Sequence, residues 1–193
     1  MKRICLFGGT FDPVHKGHIA LAEAVCQAYN ISRFIFIPAR VAPHKEGSDS
    51  AAPWHRLEML RLATKGKPLF EISDMELQRE GISYTIDTIT SFQKEYPASD
   101  IRWFYLIGSD NLLIFKSWRN WSELLKKLEF LVAPRKGFPI EEAESDILEK
   151  MIVLDTPYLD VSATKLRNHL ALLKSQWLEP IVAEYILNQK LYR

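Results

Sequence analysis

The sequence predicts an α/β protein: a Rossmann-like, doubly wound parallel sheet with helices on both faces and further helices at the C-terminal end. Three observations carry this. Short apolar runs alternate with segments of helical spacing along almost the whole chain, as successive β-α units require. The runs near residues 3–7, 33–37, 101–107 and 129–133 are continuously apolar rather than alternating, which fits strands buried on both faces. The chemically unusual residues cluster just after those runs, where ligands bind in open α/β sheets.

Taken in order, residues 3–7 form a first strand stopped by Gly8-Gly9, and residues 19–29 a helix with Ile19, Ala22, Val25, Cys26 and Tyr29 on one stripe. Residues 33–37 form a second strand ended by Pro38. Residues 39–53 are rich in Pro, Gly, Ser and Ala and read as a loop, long for a βα connection. A helix over 54–64 and a strand over 69–73 come next. Residues 78–83 are turn-like, and residues 84–96 form a helix closed by Pro97. The strongest strand signal, 101–107, ends at Gly108. Helices are expected over 110–116 and 121–128, a strand over 129–133, and a charged loop or frayed helix over 134–146. A weaker strand over 151–154 precedes two closing helices, 162–174 and 178–190. No internal repeat is present, and 193 residues suit one domain, 1–193, with a helical C-terminal portion from about 160.

Composition excludes several classes. The 47% hydrophobic and 25% charged fractions are those of a globular chain that needs no disulfide staples. A net charge of +1 offers no field for nucleic acid or an anionic membrane. Cys5 and Cys26 lie in apolar segments and read as buried thiols. Neither a signal peptide nor a run of membrane-spanning length is apparent, so a cytoplasmic location is expected. Homo-oligomerisation is left open.

The stretch GGTFDPVHKGH, Gly8 to His18, carries the most information. It lacks the G-x-G-x-x-G fingerprint and the P-loop pattern. Gly8 and Gly9 let backbone approach a ligand, Thr10 adds a hydroxyl, and Asp12 before Pro13 suits a helix cap. His15 and His18, three apart, share a face on a helical first turn. They point toward an end where unpaired backbone N–H groups favour an anion. Gly17 leaves room for a bulky group. A zinc site is the competing reading of the histidines, but no matching Cys/His set occurs elsewhere.

That motif resembles the signature of the nucleotidyltransferase superfamily with an H-x-G-H core. APHK (42–45), SYTIDT (83–88), IGSDNL (107–112) and VSATKLR (161–167) make nearly the whole chain similar to bacterial nicotinate-nucleotide adenylyltransferases. The resemblance implies transfer of the adenylyl group of ATP to nicotinate mononucleotide with pyrophosphate as leaving group. The attack is in line, without a covalent enzyme intermediate, and Mg2+ is carried by ATP rather than by a protein ligand set. It implies His15 and His18 as catalytic contacts to the triphosphate. Gly8, Gly9, Thr10, Gly108, Asp110, Ser162, Thr164 and Arg167 are implied to line the ATP site. His44, Lys45, Thr85, Trp118 and Arg135 are implied on the acceptor side. Each has a plain structural alternative: a helix cap for Thr85 and Ser162, a core aromatic for Trp118, a solvated charge for Lys45 and Arg167. Three positions depart from the family pattern: Ala42, Arg119 and Lys136. The amide mononucleotide and phosphopantetheine are the rival acceptors, cytidylyl transfer is a rival reaction, and a non-catalytic nucleotide sensor is the rival from another class.

Overall fold

The computed structural model describes residues 1–41, 50–97, 100–156, 161–168 and 176–192. The elements run β1 (Lys2–Gly9), α1 (Lys16–Tyr29), β2 (Arg33–Pro38), α2 (Pro53–Thr64), β3 (Phe70–Ile72), α3 (Met75–Gln78) and α4 (Thr85–Glu95). They continue with β4 (Ile101–Gly108), α5 (Ser109–Leu112), a 3-10 turn (Phe115–Ser117), α6 (Trp121–Lys127) and β5 (Glu129–Ala133). A second 3-10 turn (Ile140–Glu142), α7 (Ser145–Leu148), β6 (Met151–Val153), α8 (Ala163–Asn168) and α9 (Pro180–Asn188) complete the chain.

The six strands form one parallel sheet in the order β3-β2-β1-β4-β5-β6. This is the doubly wound arrangement expected from the alternation of elements. β1, β2, β4 and β5 each feed side chains to two cores, because successive residues face opposite sides. Cys5, Phe7, Phe34, Phe36, Phe104 and Leu106 join α1, α2 and α9 on one face. Ile4, Leu6, Ile35, Ile37, Tyr105 and Ile107 join α4 and α6 on the other. Double-sided burial is why these strands read as unbroken apolar runs.

The winding reverses between β1 and β4, and there the sheet splits. Their pairing stops at Leu6↔Tyr105, although β1 runs on to Gly9 and β4 to Gly108. Beyond that point β1 stays with β2 as far as Gly9↔Pro38, while β4 stays with β5 as far as Gly108↔Ala133. The two carboxyl ends diverge and open a crevice between them, the usual ligand position in such a sheet.

Local assignments differ at three places. The turn expected over 78–83 is preceded by the short helix α3, which the polar composition of the region conceals. The helix expected over 110–116 is instead α5 plus a separate 3-10 turn, because the chain turns so that Phe115 is buried and Ile114 is exposed. Of the helix expected over 162–174, α8 covers Ala163–Asn168, and residues 169–175 lie outside the described part.

Candidate active site

The crevice is a cavity of about 720 Å³ over the carboxyl ends of β1, β4 and β5, lined on one wall by the Gly8–Asp12 segment and α1. His15 is the N-cap of α1, with extended backbone at φ −137° and ψ 167°. Asp12, the expected cap, is therefore not one. The chain leaves β1 through Phe11 at φ 49° and a cis Asp12–Pro13 bond, and reaches the helix only three residues after Asp12. His15 and His18 stack with centroids 3.6 Å apart and planes 21° from parallel, the shared face that their spacing predicts.

His18 is oriented by main chain. The His15 backbone N–H donates to its Nδ1 at 3.2 Å. With Nδ1 accepting, the ring proton of the neutral imidazole sits on Nε2, so that nitrogen is a donor. Phe7 and Phe11 pack against the ring at 6.0 and 5.2 Å between centroids. His15 is 7% exposed, and its Nδ1 has no hydrogen-bond partner. Burial, with the charge of Arg135 nearby, pushes its pKa down to about 3, so the ring is neutral at physiological pH.

Glycine at 8, 9 and 17 answers to close protein packing. A Cβ on Gly8 would strike the Tyr105 hydroxyl, and one on Gly9 would lie 2.9 Å from Phe11 Cζ. On Gly17 it would lie 2.8 Å from Val161 Cγ1 and 3.0 Å from His15 Nδ1, so the room expected there for a ligand is occupied by the protein's own side chains. The unpaired N–H groups expected at the start of α1 are also fewer: the Lys16 N–H donates to the Trp177 carbonyl at 2.8 Å.

The opposite wall comes from the end of β4, from α5 and from the turn after β5. Gly108 ends the strand, and Asp110 sits in the first turn of α5. Its Oδ2 accepts from Arg135 Nη1 at 2.6 Å, while its buried Oδ1 has no partner. Ser109, fully buried, accepts from the Arg135 N–H at 2.9 Å and donates to the Phe138 carbonyl at 2.7 Å, which fixes the 135–138 turn. On the same side, Thr85 opens the 11-residue helix α4. Trp118 packs edge-on to Tyr105 at 6.3 Å and tilted to Phe115 at 5.4 Å while lining the cavity. Arg119 lies over the Tyr84 ring at 4.9 Å and pairs with Asp87 at 3.7 Å.

On the third side, Arg167 projects from α8 and donates through Nη1 to the Asp12 carbonyl at 2.7 Å. Thr164, one turn earlier, also lines the cavity. Ser162 does not. Its Oγ accepts from the Lys165 N–H at 3.2 Å, the capping role that was its structural alternative. His44 and Lys45 lie outside the described residues. The remaining residues implied by the resemblance all line this one cavity.

Sequence reasoning passes over four groups. Tyr105 is buried beneath Gly8, with a hydroxyl pKa raised chiefly by burial. Glu76, 4% exposed, accepts from Thr88 Oγ1 at 2.6 Å beside the start of α4, and burial raises its carboxyl pKa. Arg56, also buried, donates to the Thr10 and Ala39 carbonyls at 2.8 and 2.7 Å and so ties the end of β1 to the end of β2. Tyr192 reaches Asp12. All four sit in apolar or charged sequence that marks core or surface, and only the fold brings them here. Among the described residues, no group of three or more His, Cys, Asp or Glu side chains could hold a metal ion.

Residues 6–169 match the family model described as cytidylyltransferase-like. The chain is 36% identical over 201 residues to the probable nicotinate-nucleotide adenylyltransferase of Symbiobacterium thermophilum, covering all of this chain and 96% of that one. It is 36% identical over 167 residues to the nicotinate-nucleotide adenylyltransferase of Bacillus subtilis, covering 86% and 85%. The fold is similar to that of Plasmodium falciparum nicotinic acid mononucleotide adenylyltransferase complexed with NaAD. There the TM-score is 0.84 at 20% identity, over all of this chain and 98% of the other.

Proposed function

The chain belongs to the nicotinate-nucleotide adenylyltransferases of the cytidylyltransferase-like family, and from that premise we infer that it joins nicotinate mononucleotide to the adenylyl group of ATP. A phosphate oxygen of the mononucleotide forms a bond to the α-phosphorus of ATP. The bond from that phosphorus to the bridging oxygen breaks, and pyrophosphate leaves with the electron pair. The products are nicotinate adenine dinucleotide and pyrophosphate, a step of NAD biosynthesis.

One observation carries the assignment of roles: the His15–His18 stack faces the same cavity as Arg167 and Asp110. Adenylyl transfer asks the protein to align two polyanions and to stabilise charge on the leaving oxygens, with no covalent help. His18 suits this because its Nε2–H is a fixed donor. Neutral His15 supports that ring from beneath. Arg167 adds a permanent charge with a planar fork of donors. ATP therefore lies over Gly8–Thr10 and against Thr164 and Arg167.

The acceptor lies toward α4 and Trp118. An N-terminus such as that of α4 suits a carboxylate, and Thr85 provides its first residue. Trp118 offers a ring face to the pyridine. His44 and Lys45 are assigned to the acceptor phosphate, and Arg135 to the same side. Magnesium fits this site as a companion of ATP. A buried carboxylate oxygen without a partner, Oδ1 of Asp110, is the hard ligand a cation held mainly by phosphates needs. Bound there, the cation would neutralise charge on the phosphates. No helix of the described residues is long and apolar enough to cross a membrane.

The experiment is pyrophosphate release from ATP with the acid and amide mononucleotides side by side. Turnover at least tenfold faster with the acid is expected. Equal or greater turnover of the amide, or turnover of phosphopantetheine instead, would overturn the acceptor assignment.

A further inference from the structure

Asp12 belongs to the Gly8–Asp12 wall of the cavity and is 2% exposed. Its Oδ1 accepts two hydrogen bonds, from the Tyr192 hydroxyl at 2.6 Å and from the Ala51 N–H at 3.2 Å. Its Oδ2 stands 3.8 Å from Nη1 of Arg167. That same nitrogen makes its short bond, 2.7 Å, to the Asp12 carbonyl rather than to the carboxylate. The guanidinium of Arg56 adds a second positive charge to the neighbourhood while bonding to main-chain carbonyls at Thr10, Ala39 and Ala51.

This arrangement is unusual for a guanidinium beside a shielded carboxylate. Such pairs ordinarily close to about 2.7–2.9 Å, often with two parallel bonds. Here the pair stands open at 3.8 Å, while the other carboxylate oxygen takes a 2.6 Å bond from a phenol near the far end of the chain. The same C-terminal region makes a second tie to this wall, through the Trp177 carbonyl on the Lys16 N–H at the start of α1.

We propose that Tyr192 is a positioning residue for the nucleotide: by engaging Oδ1 of Asp12 it keeps Arg167 from closing onto the carboxylate, so that the guanidinium stays directed at the cavity. The proposal deepens the adenylyltransferase reading and rests on Arg167 meeting the triphosphate. Without the phenol, Oδ1 keeps only the Ala51 N–H, and the carboxylate can turn toward Arg167 and draw it inward. The charge would then be neutralised inside the protein instead of on the ligand. The C-terminal segment is thereby a working part of the ATP side of the site.

The test is Tyr192→Phe, which keeps the ring packing and removes only the hydroxyl, read against Asp12→Asn and the double variant. Tyr192→Phe is expected to raise the KM for ATP about fivefold to tenfold and to leave the KM for nicotinate mononucleotide within twofold. In the Asp12→Asn background there is no carboxylate charge to draw Arg167 inward, so adding Tyr192→Phe should change the KM for ATP by less than twofold. A merely structural tail would raise both KM values together, lower only the melting temperature, or give effects that multiply in the double variant. Any of these results overturns the proposal. Calorimetric titration of the same proteins with a non-hydrolysable ATP analogue separates this inference from the reaction assignment. Wild type that binds the analogue but does not turn over sinks the reaction and leaves the affinity comparison to decide on Tyr192. Wild type that binds no adenine nucleotide sinks both.

Discussion

The two walls of the crevice are built on different principles. On the ATP wall, polar groups are held by main chain and by buried side chains: His18 by the His15 N–H, Asp12 by Ala51 and Tyr192, Arg167 by the Asp12 carbonyl. On the acceptor wall the rings and charges are half-buried or exposed: Trp118 is held by aromatic packing, Arg119 by the Tyr84 ring, and Phe138 is 40% exposed. The difference matches the ligands. A triphosphate has dense charge, and donors aimed at it are worth most where water is excluded and reorganisation is small. A pyridine ring offers a flat face, and selection among rings rests on packing that tolerates adjustment. On the proposed reading, the wall of fixed polar groups takes the triphosphate and the ring-lined wall takes the acceptor.

Substitutions on the ATP wall should break this contrast most. His18→Ala is expected to lower kcat/KM for pyrophosphate release by about 100-fold or more, with the circular dichroism spectrum unchanged. A loss below tenfold would show that the stacked pair does not meet the reacting phosphates. Trp118→Ala tests the other wall. The KM for nicotinate mononucleotide should rise about tenfold, as loss of a stacking face of roughly 1–1.5 kcal/mol implies, while the KM for ATP stays within twofold. If both KM values moved together, the division of the crevice into two walls would fail.

The pH dependence of stability sharpens the contrast further. His15 is buried neutral, with a pKa of about 3 in the folded protein against an ordinary value of 6.5. Between those values the unfolded chain binds the proton and the folded chain does not. Stability from this group is complete above pH 6.5 and declines as the pH falls, at up to roughly 1.4 kcal/mol per pH unit. Denaturant titrations from pH 7 to pH 4 should show this slope, and His15→Asn should flatten it. An unchanged slope in the variant would place the ring in solvent. The smallest effect is expected at Arg119, exposed and paired with Asp87 at 3.7 Å. Arg119→Ala should change acceptor KM by less than threefold and leave ATP untouched. A tenfold change would make the rim as exacting as the buried wall.

Legibility in the sequence varies from residue to residue. Phe34 and Phe36 alternate with Ile35 and Ile37, and a parallel sheet covered on both faces is nearly the only way to bury all four. The three-residue spacing of His15 and His18 puts the N-cap ring over the third residue of α1, and there the two imidazoles stack. Thr85 and Gly108 are legible because they open or close elements whose periodicity is strong. Asp12 reads as a cap and is not one, since the backbone departs from the helix approach at Phe11 and nothing in the local sequence announces that.

The amino-acid sequence by itself determined the succession of the six strands, the two-sided core and the placing of the histidine pair after the first strand. These depend on periodicity and spacing over a dozen residues or fewer. Only the tertiary structure decided that β1 and β4 part after Leu6 and Tyr105, that Tyr105 fills the space beneath Gly8, and that Tyr192 meets Asp12. Those contacts join residues up to 180 positions apart. Their partners are chosen by three-dimensional packing, which leaves no periodic trace in the chain.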